Sequence, residues 1–184
     1  MMRAQVLTEF GGADNFREQI LPRPVPGLGE VLVRLHATSL NPIDIKIRCG
    51  LPIAPAAPVI LGSDIAGTIV ARGDDVRDFE IGEEVYGCGG GVRGLGGTLA
   101  EYISVDARLV APKPRGLTMR EAAALPLVSI TAWETCEKPA IYEKDHVLVL
   151  GGLGGVGHIV IQLAKARGAH VTATVSSEAD TDFA

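Results

Sequence analysis

The sequence has too few cysteines, in the wrong arrangement, for a disulfide framework or a cysteine zinc site. Cys49, Cys88 and Cys136 are odd in number, far apart, and form no C-x-x-C pair. An excess of positive charge is also missing. Lys and Arg total 17 against 22 Asp and Glu, a net charge of −5, which leaves no basic footprint for nucleic acid or an anionic membrane. No apolar run approaches the roughly 20 residues that cross a bilayer. The opening MMRAQVLTEFGG lacks the hydrophobic segment of a secretory signal. No repeat or low-complexity tract is evident. These absences predict a soluble cytoplasmic protein without nucleic-acid or membrane partners. What is present is 184 residues, 47% of them hydrophobic, enough for one large domain or two small ones.

The most informative stretch runs from His146 to Val175. His146 to Leu150 is a short, apolar, β-branched run, as expected of a strand buried on both faces. GLGGVG follows at once and matches G-x-G-x-x-G, with Gly152, Gly154 and Gly157 in the three glycine places. In such a motif the first glycine permits the tight turn. The second lets backbone approach a pyrophosphate, and the third lets helix and strand pack closely. A helix is expected from about Gly155 to Arg167, its N–H groups and positive dipole end directed at phosphates. Val156, Ile159, Val160, Leu163 and Ala164 recur at helical spacing and should cover the sheet. Gly168 ends the helix, and His170 to Val175 returns as a second, parallel strand, giving a right-handed βαβ unit. A glycine-rich turn in some other α/β protein explains the turn, but not three glycines at this spacing.

The preceding residues read differently. Gln5 to Leu7, Phe16 to Leu21, Val31 to Ala37, Val59 to Val70 with an internal turn, Val85 to Gly87 and Thr98 to Val105 all read as short strands. Glycine and proline turns separate them, which predicts a compact β-barrel. Asn41-Pro42 opens a short helix, with Pro42 suited to its first turn. Thr118 and Glu121 form a capping-box pattern for a helix ending at Pro126, and a second helix is expected from about Leu127 to Cys136. The domain change is placed near Leu125, giving units of residues 1–125 and 126–184.

A barrel-like domain, then helices, then a dinucleotide turn: this order resembles the medium-chain dehydrogenases/reductases. SLNPIDIKIR (39–48), PVILGSDIAGTIV (58–70), GGTLAEYISV (96–105), AAALPLVSITAWE (122–134) and GGLGGVGHIVIQLAKARGA (151–169) narrow the resemblance to the zinc-free, zeta-crystallin-like quinone oxidoreductases. The zinc-dependent relatives carry a cysteine at the NPID segment, Gly-His-Glu where this chain has Gly62-Ser63-Asp64, and a four-cysteine lobe. None is present here, so no metal is expected. The resemblance implies a GroES-like barrel followed by the first βαβ unit of a Rossmann domain. It also implies hydride transfer from NADPH to a small-molecule quinone or to an activated alkene or carbonyl, the protein positioning the partners and polarising the carbonyl.

By the same resemblance Asn41 lies near nicotinamide and substrate; read alone, it is a helix N-cap, and both roles are compatible. Asp44 is a second candidate for that pocket, or a residue that steadies the helix's first turn. Thr131 matches the threonine that meets the nicotinamide amide in the family, whereas a helical Thr taken alone is a packing residue. Gly152, Gly154, Gly155, Val156 and Gly157 are the expected diphosphate contacts. Lys46 and Arg48, and Tyr86 and Tyr102, read as surface charges and packing residues ahead of carbonyl or proton donors. His158 sits close to the phosphate site by sequence and is read as structural. An NAD enzyme places an acidic residue at the end of the second strand. Here Ser176 stands there with Ser177 next, which favours NADPH over NADH, although Glu178 and Asp180 are close and no Lys or Arg follows.

A full member of that family continues with further strands and helices, then returns to its first domain. Only two strands of the doubly wound sheet are read here, so a truncated second domain is expected, with unpaired edges. The alternative reading is therefore a non-catalytic nucleotide-binding or dimerising remnant. Family members often dimerise through the edge of the nucleotide sheet; that edge is missing from the strands read here, so the resemblance gives little weight to a homodimer, which stays open.

Overall fold

The structure is a computed structural model, and residues 1–92 and 95–181 are described. The chain divides into two compact units, Met1–Pro126 and Leu127–Ala184.

The first unit is built from antiparallel strands. β1 (Met2–Leu7) pairs with β2 (Phe16–Leu21), and β4 (Val59–Ile60) pairs on its other side. A larger sheet has the order β7-β3-β5-β6-β8, from β3 (Glu30–Ala37), β5 (Asp64–Arg72), β6 (Glu84–Cys88), β7 (Tyr102–Asp106) and β8 (Val110–Pro112). Alternation sets the faces. In β1, Met2, Ala4 and Val6 are buried while Arg3 and Gln5 face solvent. The core of the large sheet is Val31, Val33, Ile65, Ile69, Val85, Ile103 and Val105, closed by Val76 and Phe79 from the acidic connection after β5. Close approach is enforced by Gly67, where an added Cβ would stand 2.2 Å from the Arg34 carbonyl oxygen. A second cluster, Leu7, Ile47 and Leu61, seats α1 (Pro42–Arg48).

The strand expected over Thr98 to Val105 forms only from Tyr102. The preceding residues are held irregularly: Thr98 N–H donates to the Gly62 carbonyl and Leu99 N–H to that of Leu61, while the Leu99 carbonyl accepts from Gln5. The first two bonds tie this segment to the turn after β4, and the Gln5 bond with the bridge between Ala4 and Ala100 ties it to β1. β8 has no counterpart in the expected strands. The glycine loop after Cys88 includes Arg93 and Gly94, which lie outside the described residues.

α2 (Met119–Ala123) starts as its capping box predicts. The Thr118 hydroxyl accepts the Glu121 N–H, and Glu121 accepts the Thr118 N–H at 2.8 Å. α3 (Pro126–Glu137) buries Ala132 and Cys136, one turn apart. In the second unit β9 (His146–Val149) and β10 (His170–Ala173) pair in parallel, joined by α4 (Gly157–Ala166). Val160 and Ala164 of α4 are buried, and Ile159 and Leu163 pack beside Val147, Val149, Val171 and Ala173. The helix begins at Gly157 rather than Gly155, with Val156 as its N-cap residue. The strand before it is not buried on both faces. Val149 is buried on the side that α4 covers, whereas Leu148 is 63% exposed. Burial of the second face needs an element that the described residues do not supply.

Candidate functional sites

The glycine turn joins β9 to α4. The left-handed backbone needed for its tight bend falls on Gly151, at φ 71°, one residue before the first glycine of the motif. Gly152 is instead constrained by space: a Cβ there would lie 2.7 Å from the Ala173 Cβ. Gly157 fits its expected role, since a Cβ would lie 2.2 Å from the Gly151 carbonyl oxygen. The turn is pinned by Thr174, a residue the sequence pattern did not single out. Gly151 N–H donates to Thr174 Oγ1 at 2.9 Å, and Gly152 N–H to the Thr174 carbonyl at 2.8 Å. His158 turns back to the same loop, its Nδ1 lying 2.9 Å from the Gly154 carbonyl oxygen. Gly154 N–H bonds the Gly151 carbonyl at 2.9 Å, while the N–H groups of Gly155, Val156 and Gly157 make no hydrogen bond among the described residues. Those three donors, at the positive end of α4, are the group a diphosphate would use.

Beyond β10, Ser176 and Ser177 are exposed, and the Ser177 hydroxyl donates to Asp180 at 2.8 Å. Thr131 is exposed on α3, and its hydroxyl donates to the Leu127 carbonyl one turn earlier at 2.7 Å. Its oxygen keeps acceptor capacity, but the hydrogen is used within the helix.

The first unit holds a separate polar cluster. Gly62, at φ 100°, turns the chain from β4 into β5 and brings in Ser63 and Asp64, 3% and 1% exposed. Asp64 Oδ2 accepts from Asn41 Nδ2 at 2.8 Å and from the Ser39 hydroxyl. Asn41 Nδ2 also reaches Ser39 Oγ at 3.1 Å, and the Thr38 hydroxyl bonds both the Asp64 carbonyl and Thr98 Oγ1. Asn41 is the N-cap residue of α1 in a capping box with Asp44. Asp44 Oδ2 accepts the Asn41 N–H at 2.8 Å, and the Asp44 N–H bonds the Asn41 main-chain carbonyl at 2.9 Å while facing the Asn41 side chain in the capping box. Asn41 therefore combines the N-cap position with a side chain directed at Asp64, 23 residues away in sequence. Burial pushes the Asp44 carboxyl above its ordinary pKa; the Asn41 N–H opposes this and the charge of Asp64 adds to it. The Cys88 thiol, paired across the sheet with Asp64, is pushed up to about 11 by burial and by both carboxylates.

Asn41 and Asp44 line a cleft of about 540 Å³, whose other walls include Phe16, Leu40, Ile45 and Leu61. Arg48 also lines it, with a buried Nε that has no hydrogen-bond partner among the described residues, while Lys46 is exposed. Tyr102 is engaged at the surface, its ring under the Arg23 guanidinium at 3.9 Å. Tyr86 packs against Ala66, Ala122 and Ala123. Among the described residues no three His, Cys, Asp or Glu side chains are grouped to hold a metal ion, and no helix is long and apolar enough to cross a membrane.

Residues 27–115 match the alcohol dehydrogenase GroES-like domain family. The chain is 41% identical to 2-methylene-furan-3-one reductase of Solanum lycopersicum, over 96% of this chain and 47% of that protein. It is 39% identical to the chloroplast envelope quinone oxidoreductase homolog of Arabidopsis thaliana, over 95% and 55% of the two chains. Further relatives are named as NAD(P)H or NADPH-dependent oxidoreductases. The crystal structure of an alcohol dehydrogenase superfamily protein from Novosphingobium aromaticivorans superposes with a TM-score of 0.94 at 48% identity, covering 100% of this chain and 56% of that one. The chain thus spans about half the length of the curated relatives it matches.

Proposed function

Because the chain belongs to the zinc-free quinone oxidoreductase branch of the medium-chain dehydrogenases/reductases, we propose that it carries the coenzyme-proximal part of an NADPH-dependent oxidoreductase. The substrate is a quinone or an activated alkene or carbonyl. The observation that carries this reading is the glycine turn, with three amide donors at the start of α4 that make no hydrogen bond among the described residues. An anion there gains about 0.3–1 kcal/mol from the helix dipole, beyond the hydrogen bonds themselves. The bound coenzyme supplies the hydride; the chain's own residues orient and desolvate the partners. Gly155, Val156 and Gly157 hold the diphosphate by main-chain N–H groups, with Gly154 giving the backbone close approach and Gly152 packing the turn on β10. Asn41 in the first unit and Thr131 in the second each keep an oxygen able to accept a hydrogen bond from a coenzyme. Asp44 lines the apolar cleft, whose size and walls suit a flat, weakly polar substrate.

The preference for NADPH rests on Ser176 and Ser177 standing where an NAD enzyme carries a carboxylate. A cytoplasmic setting is part of the proposal and fits three free thiols. A second copy is the proposed partner, supported by Leu148 and Leu150, both exposed beside the two-stranded sheet. The same exposed leucines favour the second reading, a nucleotide-binding or dimerising module without catalysis. Titration with NADPH and NADH, followed by an NADPH oxidation assay with a simple quinone, separates the two. NADPH binding with turnover supports the enzyme, and binding without turnover supports the module. Equal affinity for the two coenzymes rejects the NADPH preference, and no binding rejects the enzyme and the nucleotide-binding module, leaving only a dimerising one.

A further inference from the structure

We infer that Asp64 is a positioning residue: it fixes the Asn41 carboxamide so that Asn41 meets its ligand only as a hydrogen-bond acceptor. The inference rests on the reading of Asn41 as a coenzyme contact and adds the direction of that contact and the group that sets it.

The argument is a count of hydrogens. A carboxamide has two N–H donors and one oxygen acceptor. The Asn41 amide nitrogen is 2.8 Å from Asp64 Oδ2 and 3.1 Å from Ser39 Oγ. A carboxylate only accepts, so the atom facing Asp64 is the nitrogen, and a flipped amide would set oxygen against oxygen. The Ser39 hydroxyl hydrogen is itself committed to Asp64 Oδ2, so toward Asn41 the serine oxygen accepts. Both amide hydrogens are then spent inside the protein. Asn41 Oδ1 faces the Asp44 N–H in the capping box, but that N–H also bonds the Asn41 main-chain carbonyl, and an amide oxygen has two lone pairs, so the capacity left to the Asn41 side chain is that of an acceptor.

The support is rigid. Asp64 is 1% exposed and opens β5, and Asn41 is 6% exposed at the start of α1. Thr38 holds the main chain of Asp64 through its carbonyl at 2.8 Å. A Cβ at Gly62 would stand 2.3 Å from Thr98 Oγ1, so the turn that delivers Asp64 is packed closely against Thr98 and has no room for a side chain.

Two consequences follow. Asn41 cannot donate to a substrate carbonyl, so it does not polarise the acceptor of the hydride. It can accept from a ribose hydroxyl or from the nicotinamide carboxamide N–H, which orients the coenzyme.

The test compares wild type, Asp64→Asn and the double exchange Asn41→Asp/Asp64→Asn, each checked for folding by circular dichroism. Two signals are read: solvent exchange of the Asn41 side-chain amide protons by NMR, and NADPH affinity by titration. In wild type both amide protons are expected to exchange slowly. In Asp64→Asn, where either amide can turn, protection is lost and NADPH binds about tenfold more weakly, the loss of one hydrogen bond. In the double exchange the residue at 41 is again acceptor-only and Asn at 64 donates to it. Affinity returns to within about threefold of wild type, which a merely structural Asp64 would not produce. Fast exchange of the Asn41 protons in free wild type, or unchanged protection in folded Asp64→Asn, overturns the inference. If wild type binds no NADPH, the proposed function fails, and the exchange rates alone still decide whether Asp64 fixes Asn41.

Discussion

Thr174 Oγ1 accepts the N–H of Gly151 at 2.9 Å, fastening the glycine turn to the end of the second parallel strand. The Thr174 carbonyl takes the Gly152 N–H, and its own N–H goes to the Val149 carbonyl, so one residue ties the end of β9 and the first two residues of the glycine turn. Replacing Thr174 with valine keeps the β-branched shape and removes the hydroxyl. Loss of one exposed hydrogen bond should cost about 0.5–1.5 kcal/mol in urea unfolding. NADPH should bind several-fold more weakly, because the turn is no longer held in shape before the ligand arrives. Unchanged affinity would show that the main-chain bonds alone position the loop.

The glycines of the turn should respond unequally to alanine. At Gly157 the new methyl would sit 2.2 Å from the Gly151 carbonyl oxygen, a main-chain atom that cannot swing away. Gly157→Ala is expected to cost about 1–3 kcal/mol of stability as the helix is pushed off the strand. At Gly154 the methyl meets the same oxygen at 3.2 Å, tight but tolerable. Gly154→Ala should fold nearly as well as wild type yet lose NADPH affinity, since the methyl occupies space a pyrophosphate needs. Thermal melts and coenzyme titrations of both variants test this ordering. Equal behaviour of the two would undo the division of roles.

What could be read from the residues beforehand was what is decided locally. The Thr118–Glu121 capping box, Pro42 at a helix start and the turn–helix–strand order after Val149 depend on near neighbours, and all three form. Features set by distant partners were not readable. Asn41 looked like a helix cap because nothing near it announces Asp64, which reaches it only when β5 is in place. The run from Thr98 has strand composition, but its first amides go to the carbonyls of Leu61 and Gly62 in another turn, and ladder pairing waits until Tyr102. Leu148 reads as core because apolar runs usually are, while its exposure depends on what covers the sheet. The left-handed residue of the glycine turn was misplaced by one, since consecutive glycines at 151 and 152 offer the same freedom and only the fold chooses.

The buried carboxyl of Asp44 makes a signed prediction about pH. Its folded-state pKa is raised above the ordinary 3.8, mainly by burial. The folded protein therefore holds this proton more tightly than the unfolded chain does. The resulting stabilisation is fully present below the unfolded pKa and is lost as pH rises through the folded one. Asp44→Asn does not titrate, and its side-chain oxygen can still accept the Asn41 N–H. Relative to wild type, the variant should thus gain stability between pH 3 and pH 7. Urea midpoints of both proteins across that range measure the difference, because the other acids are common to both. A difference independent of pH would mean that Asp44 titrates alike in the folded and unfolded chains.

The three cysteines should separate by reactivity. Cys49 is exposed, Cys88 is half-buried with its thiol pushed up to about 11, and Cys136 is buried with its thiol raised by that burial. Alkylation proceeds through the thiolate, and at pH 8 a thiol of pKa 11 is only about 0.1% ionised. In native protein, iodoacetamide should therefore mark Cys49 quickly, Cys88 at least tenfold more slowly and Cys136 hardly at all. In urea all three should react alike, which peptide mass mapping resolves. The informative residue is Cys88, because Asp64 and Asp44 both disfavour its thiolate. Asp64→Asn removes one of those charges and should speed Cys88 alkylation while leaving the Cys49 rate unchanged. An unaltered Cys88 rate in a folded Asp64→Asn variant would show that burial alone protects the thiol and that the Asp64 charge does not reach it.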